Sequence, residues 1–412
     1  MSDAAGELRP VPRDDPQRAA LAARIAALID VVATGKRDDA RRDALLDDLC
    51  AWQAQHVAPY ARLVASAQRR RAVRPDACAA ATRSAWPALP TDVFRMLRIA
   101  TYDAQQDVRV FRTSGTTSGA RGAHAFRELT LYEHAARAAA DAALFPDLAA
   151  RAGTSATPKR TMRLIVLAPR EEDAPDSSLS FMLARFAEWY GAPGPHGVAY
   201  AFVRDAIDAE AMRSALERAE GDAAPVAILG TSFAFVFADE ALGARRFKLP
   251  AGSRVMQTGG FKGRTRELAP GAMRVMIAAR YGVPESHIVA EYGMTELSSQ
   301  LYESTLAAAL RGESDAPRAL DVPGWMRATV VDPETLAPMP DGEVGVLRLD
   351  DAANLDSVCA IQTSDLAQQS GARITLLGRA PGAVPRGCSL AIEEALADGG
   401  RAERALPERD DG

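Results

Sequence analysis

Apolar residues recur at helical spacing near the start of the chain. Leu21, Ile25, Leu28 and Val32 form one series, and Asp15-Pro16 ahead of them supplies a cap and a proline suited to a first turn. A second series, which can begin at Asp38 or Asp39, contains Leu45, Leu49 and Trp52. The pattern therefore predicts a helical N-terminal region.

From about residue 108, short β-rich runs alternate with longer amphipathic stretches. The predicted strands are Val108–Phe111, Arg163–Leu167, Val226–Leu229, Arg254–Gln257 and Ile288–Glu291. The predicted helices are Leu129–Leu144, Ser178–Tyr190, Asp208–Ala219 and Gly271–Tyr281. This alternation predicts an α/β fold with mainly parallel sheets.

After residue 320 the pattern changes to hairpins. Asp332-Pro333 and Pro340-Asp341-Gly342 are turn signals beside the β-rich runs Ala328–Val331 and Val344–Leu349. We therefore expect a helical region over 1–105, an α/β core over 106–320, a small β-rich unit over 321–396 and a flexible tail over 397–412.

Charge and cysteine content exclude several classes of function. The 49 basic and 54 acidic residues give a net charge of −5, so no basic field favours nucleic acid as a partner. With no apolar run of 18 residues and a polar N-terminus, we expect a cytoplasmic protein without integral membrane contact. Four cysteines with no C-x-x-C pair predict neither a disulfide framework nor a zinc site.

One loop after a predicted strand has the residues expected at a phosphate site. It reads Thr113, Ser114, Gly115, Thr116, Thr117, Ser118 and Gly119. Hydroxyl and backbone N–H groups can converge there on an anion, and glycine permits close approach. The loop contains no lysine and is not a Walker motif. The alternative is a Ser/Gly linker, which would not normally stand between a strand and a long helix.

A second segment ends a predicted strand, where α/β sheets place ligands. Tyr292 offers an aromatic face for a base, Thr295 a hydroxyl for a phosphate, and Glu296 a carboxylate for a divalent metal. Together with the loop, this segment resembles the ATP-binding signatures of the AMP-forming adenylating enzymes, which include acyl-CoA synthetases. Thr363-Ser364-Asp365 and Leu377-Gly378-Arg379 resemble that superfamily's ribose-binding aspartate and hinge.

Four further segments are similar to the acyl-protein synthetases of the LuxE type, relatives of the phenylacetate-CoA ligases: Leu89–Phe94, Gly119–His124, Thr258–Arg264 and Pro385–Leu390. The resemblance covers roughly residues 85–396. It implies an adenylate-forming large domain, with two α/β subdomains of mixed, largely parallel sheets and a small antiparallel β unit. The family activates a fatty acid with ATP as acyl-AMP, moves the acyl group to its own cysteine and passes it to a partner reductase.

The resemblance also implies roles for single residues, with ATP and Mg²⁺ as cofactors. The loop from Thr113 to Gly119, with Arg121, would hold the ATP phosphates. Tyr292 would stack on the adenine, and Gly293 would belong to the same cofactor site. Glu296 would bind Mg²⁺. The remaining implied contacts are Thr258, Gly259 and Gly260 with the adenine, Thr295 with phosphate, and Asp365 and Arg379 with the ribose.

Cys388 is the candidate nucleophile for the next step. A thiolate would attack the acyl-AMP, and Arg386 together with the N–H groups of a Gly-Cys-Ser turn would favour that ionised form. The alternative is a small buried apolar residue, which we expect of Cys50, Cys78 and Cys359.

Two other features have two interpretations each. His124 lies at a position that resembles the family's Arg-Gly-x-His, where it would contact a phosphate or the substrate carboxylate, or make a structural hydrogen bond to the loop. Phe233–Phe237 follows a predicted strand and would either line an acyl or aryl pocket or belong to the core.

The chain departs from the superfamily in its C-terminal part. Only residues 380–412 follow Arg379, so we expect the lid domain, which normally carries a catalytic lysine, to be largely missing. Only four lysines occur, and Lys262, in a glycine-flanked loop, is the best candidate to supply that charge.

The sequence thus favours ATP-dependent activation of a carboxylic acid, with a fatty acid as the expected substrate. The acyl group would then move to Cys388 or to a partner protein such as a reductase or a carrier protein. The first alternative is an aryl- or acyl-CoA ligase that uses the same adenylation step and CoA as acceptor. The second is a non-catalytic adenylate-binding module.

Overall fold

The computed structural model describes residues 8–73, 86–113, 120–149, 161–259, 268–313, 316–380, 391–393 and 395–396. The helices are α1 (Pro16–Ala33), α2 (Asp39–His56), α3 (Ala58–Val73), α4 (Thr130–Ala143), α5 (Ser178–Tyr190), α6 (Ala209–Gly221), α7 (Ser232–Ala241), α8 (Pro270–Tyr281) and α9 (Thr305–Leu310). Short 3₁₀ helices cover Thr91–Arg95, Ala104–Gln106 and Glu285–His287.

The first eight strands are β1 (Leu89–Pro90), β2 (Arg109–Arg112), β3 (Ala123–Phe126), β4 (Arg163–Leu167), β5 (Val198–Tyr200), β6 (Phe202–Val203), β7 (Ala206–Ile207) and β8 (Val226–Thr231). The others are β9 (Arg254–Thr258), β10 (Ile288–Tyr292), β11 (Leu301–Glu303), β12 (Leu320–Asp321), β13 (Met326–Val331), β14 (Val344–Asp351), β15 (Ala360–Ser370) and β16 (Arg373–Arg379). The predicted strands and helices are all present, with ends that differ by a few residues.

Local capping explains where the N-terminal helices begin. The Asp15 side chain accepts a hydrogen bond from the Arg18 N–H (2.7 Å), and Pro16 occupies the first turn of α1. Asp38 caps α2 through the Arg41 N–H (3.0 Å), so both predicted N-terminal helices are confirmed. Helix α3 falls within the expected helical region 1–105, for which no separate bounds are predicted there, and its buried residues have helical spacing: Tyr60, Leu63, Val64 and Ala67.

The residues form two compact units, the first drawn from Met1–Ala135, Met294–Ser299 and Val322–Gly412, and the second from Ala136–Gly293 and Gln300–Asp321. In the second unit, β5, β4, β8, β9 and β10 are adjacent parallel strands, and β11 and β12 continue the sheet with antiparallel pairing. Helices connect the parallel strands, as the alternating pattern predicts.

Apolar residues of α6, α7 and α8 form a core with the strands of the second unit. Phe235 is fully buried in this core, and Phe233 packs against it from a partly buried position. Of the two interpretations of Phe233–Phe237, the core one therefore holds for Phe235. Burial of a phenylalanine side chain contributes about 1.5–3 kcal/mol, which favours the docking of α7 on the sheet.

The first unit combines the N-terminal helices with antiparallel β-structure. Strands β13, β14, β15 and β16 pair antiparallel in chain order, β1 adds a short parallel pair to β15, and β2 and β3 form a separate hairpin. The mixed α/β fold with a small antiparallel unit, predicted from the sequence, is confirmed. Among the described residues, no helix has the length and hydropathy needed to cross a membrane.

Candidate active site

In the second unit, polar residues lie together at the carboxyl ends of three parallel strands. The register pairs Thr231 with Thr258 and Thr258 with Glu291, so these residues of β8, β9 and β10 form one row. Tyr292, the last residue of β10, follows directly and is half-buried. Carboxyl ends of parallel strands are where α/β sheets bind ligands. The predicted adenine-contacting residues Thr258 and Tyr292 are therefore brought together at this edge.

The carboxylate of Glu291 is bonded to its neighbour Thr258 in this row. The Thr258 hydroxyl donates a hydrogen bond to Glu291, and burial raises the pKa of the Glu291 carboxyl to about 7 although that hydrogen bond opposes the shift. A β-carbon at Gly293 would lie only 2.6 Å from the Glu291 Oε1 atom. A larger residue at position 293 would therefore have to displace the Glu291 carboxylate. Sequence reasoning assigned no role to Glu291, although it opens the segment that contains Tyr292.

The backbone after β9 turns sharply at Gly259, whose φ of +67° is the left-handed conformation that glycine adopts without strain. The Ser232 hydroxyl at the start of α7 donates to the Gly259 carbonyl (2.8 Å). This bond fixes the turn that the sequence assigns to the adenine.

In the first unit, the predicted phosphate loop is closed at its base by the β2–β3 hairpin. The Thr113 N–H donates to the Gly122 carbonyl (2.9 Å), and the Gly122 N–H donates to the Thr113 Oγ1 (2.9 Å). The Arg121 Nε donates to the Thr113 carbonyl (2.6 Å). The two ends of the loop are thereby held next to each other, as a phosphate-binding loop requires.

Glu296 lies beside this base. A β-carbon at Gly122 would be 3.5 Å from the Glu296 Oε1 and 3.1 Å from the Thr113 Cγ2, which places the three residues in one cluster. Glu296 is only 6% exposed, and burial raises the pKa of its carboxyl to about 7, against the opposing charges of Arg95 and Arg379. A buried carboxylate beside the base of the predicted phosphate loop is suited to hold a cation there.

His124 connects the hairpin to the same segment. Its Nδ1 donates to the Thr295 carbonyl (2.8 Å), and its ring packs on Phe126 with centroids 4.2 Å apart. Burial lowers the pKa of His124 to about 4, although the bond to Thr295 opposes this, so the ring is neutral at pH 7. The observed bond goes to Thr295 and not to the predicted phosphate loop, and contact of His124 with a phosphate or carboxylate stays a prediction.

Two residues that sequence reasoning missed hold the backbone of the Glu296 segment. The Asn354 Nδ2 donates to the Glu296 carbonyl (2.8 Å), and the Asp351 carboxylate accepts from the Ser298 N–H (2.9 Å) and the Ser299 hydroxyl (2.8 Å). Asp351 is the last residue of β14, and Asn354 lies in the connection from β14 to β15. No local sequence signal identifies them, because their partners lie more than fifty positions away.

Asp365 and Arg379, the predicted ribose contacts, occupy paired positions on β15 and β16. The Arg379 Nε donates to the Asp365 Oδ1 (3.3 Å), and the guanidinium side chain is 74% exposed. The Arg379 side chain is thus paired with Asp365 and largely open to solvent.

Several predicted site residues lie outside the described part of the chain: Ser114–Gly119, Gly260, Lys262 and Cys388. Cys78 does so as well, whereas Cys50 and Cys359 are buried, as expected. Within the described residues, no group of three or more His, Cys, Asp or Glu side chains is arranged to bind a metal.

The fold of the chain is similar to that of solved adenylate-forming enzymes. The structure resembles 2-hydroxyisobutyryl-CoA ligase in the post-adenylation state, with a TM-score of 0.56 and 14% identity, over 83% of this chain and 67% of that one. An open conformation of the same ligase gives a TM-score of 0.53 at 14% identity, with 82% and 70% covered. Against ATP-bound MatB from Rhodopseudomonas palustris (TM-score 0.45, 15% identity, 68% of this chain), the chain spans about half of that protein's length (49%).

The model of the family described as "Acyl-protein synthetase, LuxE" matches residues 81–397. The chain therefore belongs to the LuxE family of acyl-protein synthetases. No curated protein matches the chain significantly. The family predicted from the sequence motifs is confirmed.

Proposed function

We propose that this protein activates a carboxylic acid, in the first instance a fatty acid, with ATP in the cytoplasm. The products of that step are acyl-AMP and pyrophosphate, and the acyl group then passes to Cys388, to a partner protein, or to both. The observation that carries the proposal is the position of Glu296 beside the Thr113–Gly122 base, in a chain of the LuxE family.

The residues of the first unit suit a triphosphate and its metal. Mg²⁺ is commonly bound by one or two carboxylates, water and substrate phosphates, so the single buried carboxylate of Glu296 fits it. When bound, the ion would neutralise the polyphosphate charge that develops during the reaction. Thr113 and Arg121 would orient the loop around the phosphates. His124 would keep the Thr295 hydroxyl in place through its bond to the Thr295 carbonyl.

The second unit would supply the adenine contacts. Support comes from the row at the strand ends, where Tyr292 offers an aromatic face and Thr258 and Gly259 stand at the end of β9. Glycine at position 293 allows the backbone to fold closely over Glu291. In the first unit, Asp365 would accept hydrogen bonds from ribose hydroxyls, and Arg379 would stay paired with it.

The chemistry proceeds in two displacements. In the first, an oxygen of the substrate carboxylate attacks the α-phosphorus of ATP, and the bond to the β-phosphate breaks to release pyrophosphate. Positioning and electrostatic stabilisation supply most of the acceleration in such a transfer. In the second, the thiolate of Cys388 attacks the acyl carbon and AMP leaves, which gives a thioester.

The experiment that tests this function is pyrophosphate release from ATP and Mg²⁺ across a panel of fatty, aryl and short acids. Acid-dependent release above the rate without acid would support adenylation and would identify the substrate class. Silence across the whole panel, with ATP still bound in a filter or calorimetric assay, would instead support the non-catalytic adenylate-binding module.

The acyl acceptor can be tested with Cys388→Ala. We expect intact-mass analysis of the wild type, incubated with ATP, Mg²⁺ and the acid, to show an acyl adduct that the variant lacks, because only the thiolate forms the thioester. Pyrophosphate release in the first turnover should remain. Cys50→Ala serves as the control, since Cys50 is buried and should not carry the adduct. An adduct that persists in Cys388→Ala would exclude this cysteine as the acceptor.

Lys262 is proposed to supply the positive charge that a lid lysine normally brings to the reacting groups. Lys262→Ala should lower the rate of adenylation by about tenfold or more, because the loss of a transition-state charge contact typically costs about 10²-fold. Lys248→Ala, which removes an exposed lysine, should leave the rate unchanged. Equal rates in both variants, measured as pyrophosphate release, would count against the role of Lys262.

A second candidate is an aryl- or acyl-CoA ligase with CoA as the acceptor. It is favoured by the likeness in fold to 2-hydroxyisobutyryl-CoA ligase, one structure of which contains 2-HIB-AMP and CoA. This function would give acyl-CoA as product and would be insensitive to Cys388→Ala.

A further inference from the structure

The side chain of Gln53, in the last turn of α2, has no exposed surface. Both polar atoms of its amide form hydrogen bonds with another part of the first unit. Its Nε2 donates to the carbonyls of Asn354 (2.7 Å) and Leu355 (3.0 Å), and its Oε1 accepts from the Cys359 N–H (2.9 Å). Buried backbone groups outside helices and strands need such partners. Gln53 therefore fixes the connection between β14 and β15 through three hydrogen bonds to its backbone.

This connection, counted from Asp351 at the end of β14 to residue 359, also holds the Glu296 segment. Asn354, whose carbonyl accepts from Gln53, donates through its own Nδ2 to the Glu296 carbonyl (2.8 Å). Asp351, at the start of the connection, accepts from the Ser298 N–H (2.9 Å). One short chain of hydrogen bonds thus runs from α2 to the backbone of Glu296.

The same face of α2 touches the connection a second time. The Cys50 and Cys359 sulfurs are 3.2 Å apart, and both side chains are buried. Cys50 precedes Gln53 by three positions and so lies on its side of the helix. Cys359 is therefore contacted twice by α2, through its backbone N–H by Gln53 and through its sulfur by Cys50.

We infer that Gln53 is a positioning residue for Glu296, which acts through the connection 351–359 and Asn354. The inference rests on the proposed function, in which Glu296 binds the metal. Gln53 lies outside residues 81–397, which match the family model, whereas Glu296 and Asn354 lie within them. The N-terminal helical region would therefore contribute to the Glu296 site. A carboxylate displaced by about 1 Å can cost about 10²-fold in rate, so this support has a kinetic consequence.

Gln53→Leu tests the inference, because it keeps the volume and removes three hydrogen bonds. We expect kcat for pyrophosphate release to fall about tenfold or more, and the half-saturating Mg²⁺ concentration to rise. Leu46→Ala is the matched control: Leu46 is a buried residue of the same helix, and its truncation removes packing without removing a hydrogen bond to the connection. Its folded fraction should keep the wild-type kcat and Mg²⁺ dependence.

A double variant separates positioning from general weakening of the fold. If Gln53 acts through Glu296, Gln53→Leu should add little to the loss caused by Glu296→Gln, since the group to be positioned is already gone. Full additivity of the two losses would overturn the inference. If Gln53→Leu does not fold, Asn354→Ala, which cuts the bond to the Glu296 carbonyl, takes its place in the same comparison.

Failure of the proposed function would be recognised separately, as absence of pyrophosphate release by the wild type. The positioning inference would then be decided by hydrogen exchange in the peptide that contains Ser298. Faster exchange in Gln53→Leu than in Leu46→Ala would support it, because the Ser298 N–H is bonded to Asp351 of the connection. Equal exchange in the two variants would overturn it.

Discussion

Replacing Glu296 with glutamine is expected to lower acid-dependent pyrophosphate release about 100-fold or more. Glutamine keeps the size of the side chain but removes the negative charge that would bind Mg²⁺ beside the Thr113–Gly122 base. The bond from Asn354 to residue 296 uses the backbone carbonyl, so the segment should keep its conformation. The loss is therefore expected in the rate of chemistry, measured at saturating ATP and acid.

The same variant should not lose stability. Burial raises the pKa of Glu296 from 4.5 to about 7, so its ionisation increasingly destabilises the folded chain as the pH rises through that interval. Glutamine removes this penalty, and the free energy of unfolding at pH 8 should equal or exceed that of the wild type. Glu128→Gln, an equivalent change at a carboxylate paired with Arg18, should leave the rate unchanged. A wild-type rate in Glu296→Gln would exclude Glu296 as the metal ligand.

Much of this fold could be predicted from short-range patterns. The beginning of α1 is encoded by Asp15 and Pro16, and the predicted strands Arg254–Gln257 and Ile288–Glu291 end within one residue of the observed ends of β9 and β10. Such signals depend on neighbours within a few positions, where propensity and periodicity act. The motifs around Thr113 and Glu296 were found in the same way, because each is contiguous in sequence.

The long-range hydrogen bonds that hold the motif residues in place could not be predicted from the sequence. Gln53 and Asn354 are 301 positions apart, and Asp356 and Arg18 are 338 apart, so only the folded chain brings them together. His124 illustrates the limit within one motif: its position was noted, but its bond to Thr295 depends on a partner 171 positions away. Buried polar side chains therefore need the structure to reveal their partners.

Asp356 provides the second large expected effect, on stability rather than catalysis. This carboxylate is bonded to Arg18 through Nε (2.8 Å) and Nη2 (2.6 Å), and to Arg127 through Nη2 (2.6 Å), with both arginine side chains more than 90% buried. Asp356→Asn should lower the free energy of unfolding by about 3–5 kcal/mol, because it removes the carboxylate that pairs with the buried Arg127 guanidinium, whereas Arg18 keeps its pair with Glu128. Urea unfolding at pH 7 measures this loss.

An exposed ion pair gives the matched control. Asp48→Asn breaks the pair of Asp48 with Arg24, whose side chains are 57% and 47% exposed, and should cost about 1 kcal/mol or less. Burial alone would raise the pKa of Asp356, but its bonds to Arg18 and Arg127 outweigh burial and lower that pKa below the ordinary 3.8. The stabilisation is thus complete above pH 3.8 and is lost as the pH falls further, so the difference between wild type and Asp356→Asn should shrink there. Equal losses in Asp48→Asn and Asp356→Asn at pH 7 would show that the buried cluster does not hold α1 to the rest of the first unit.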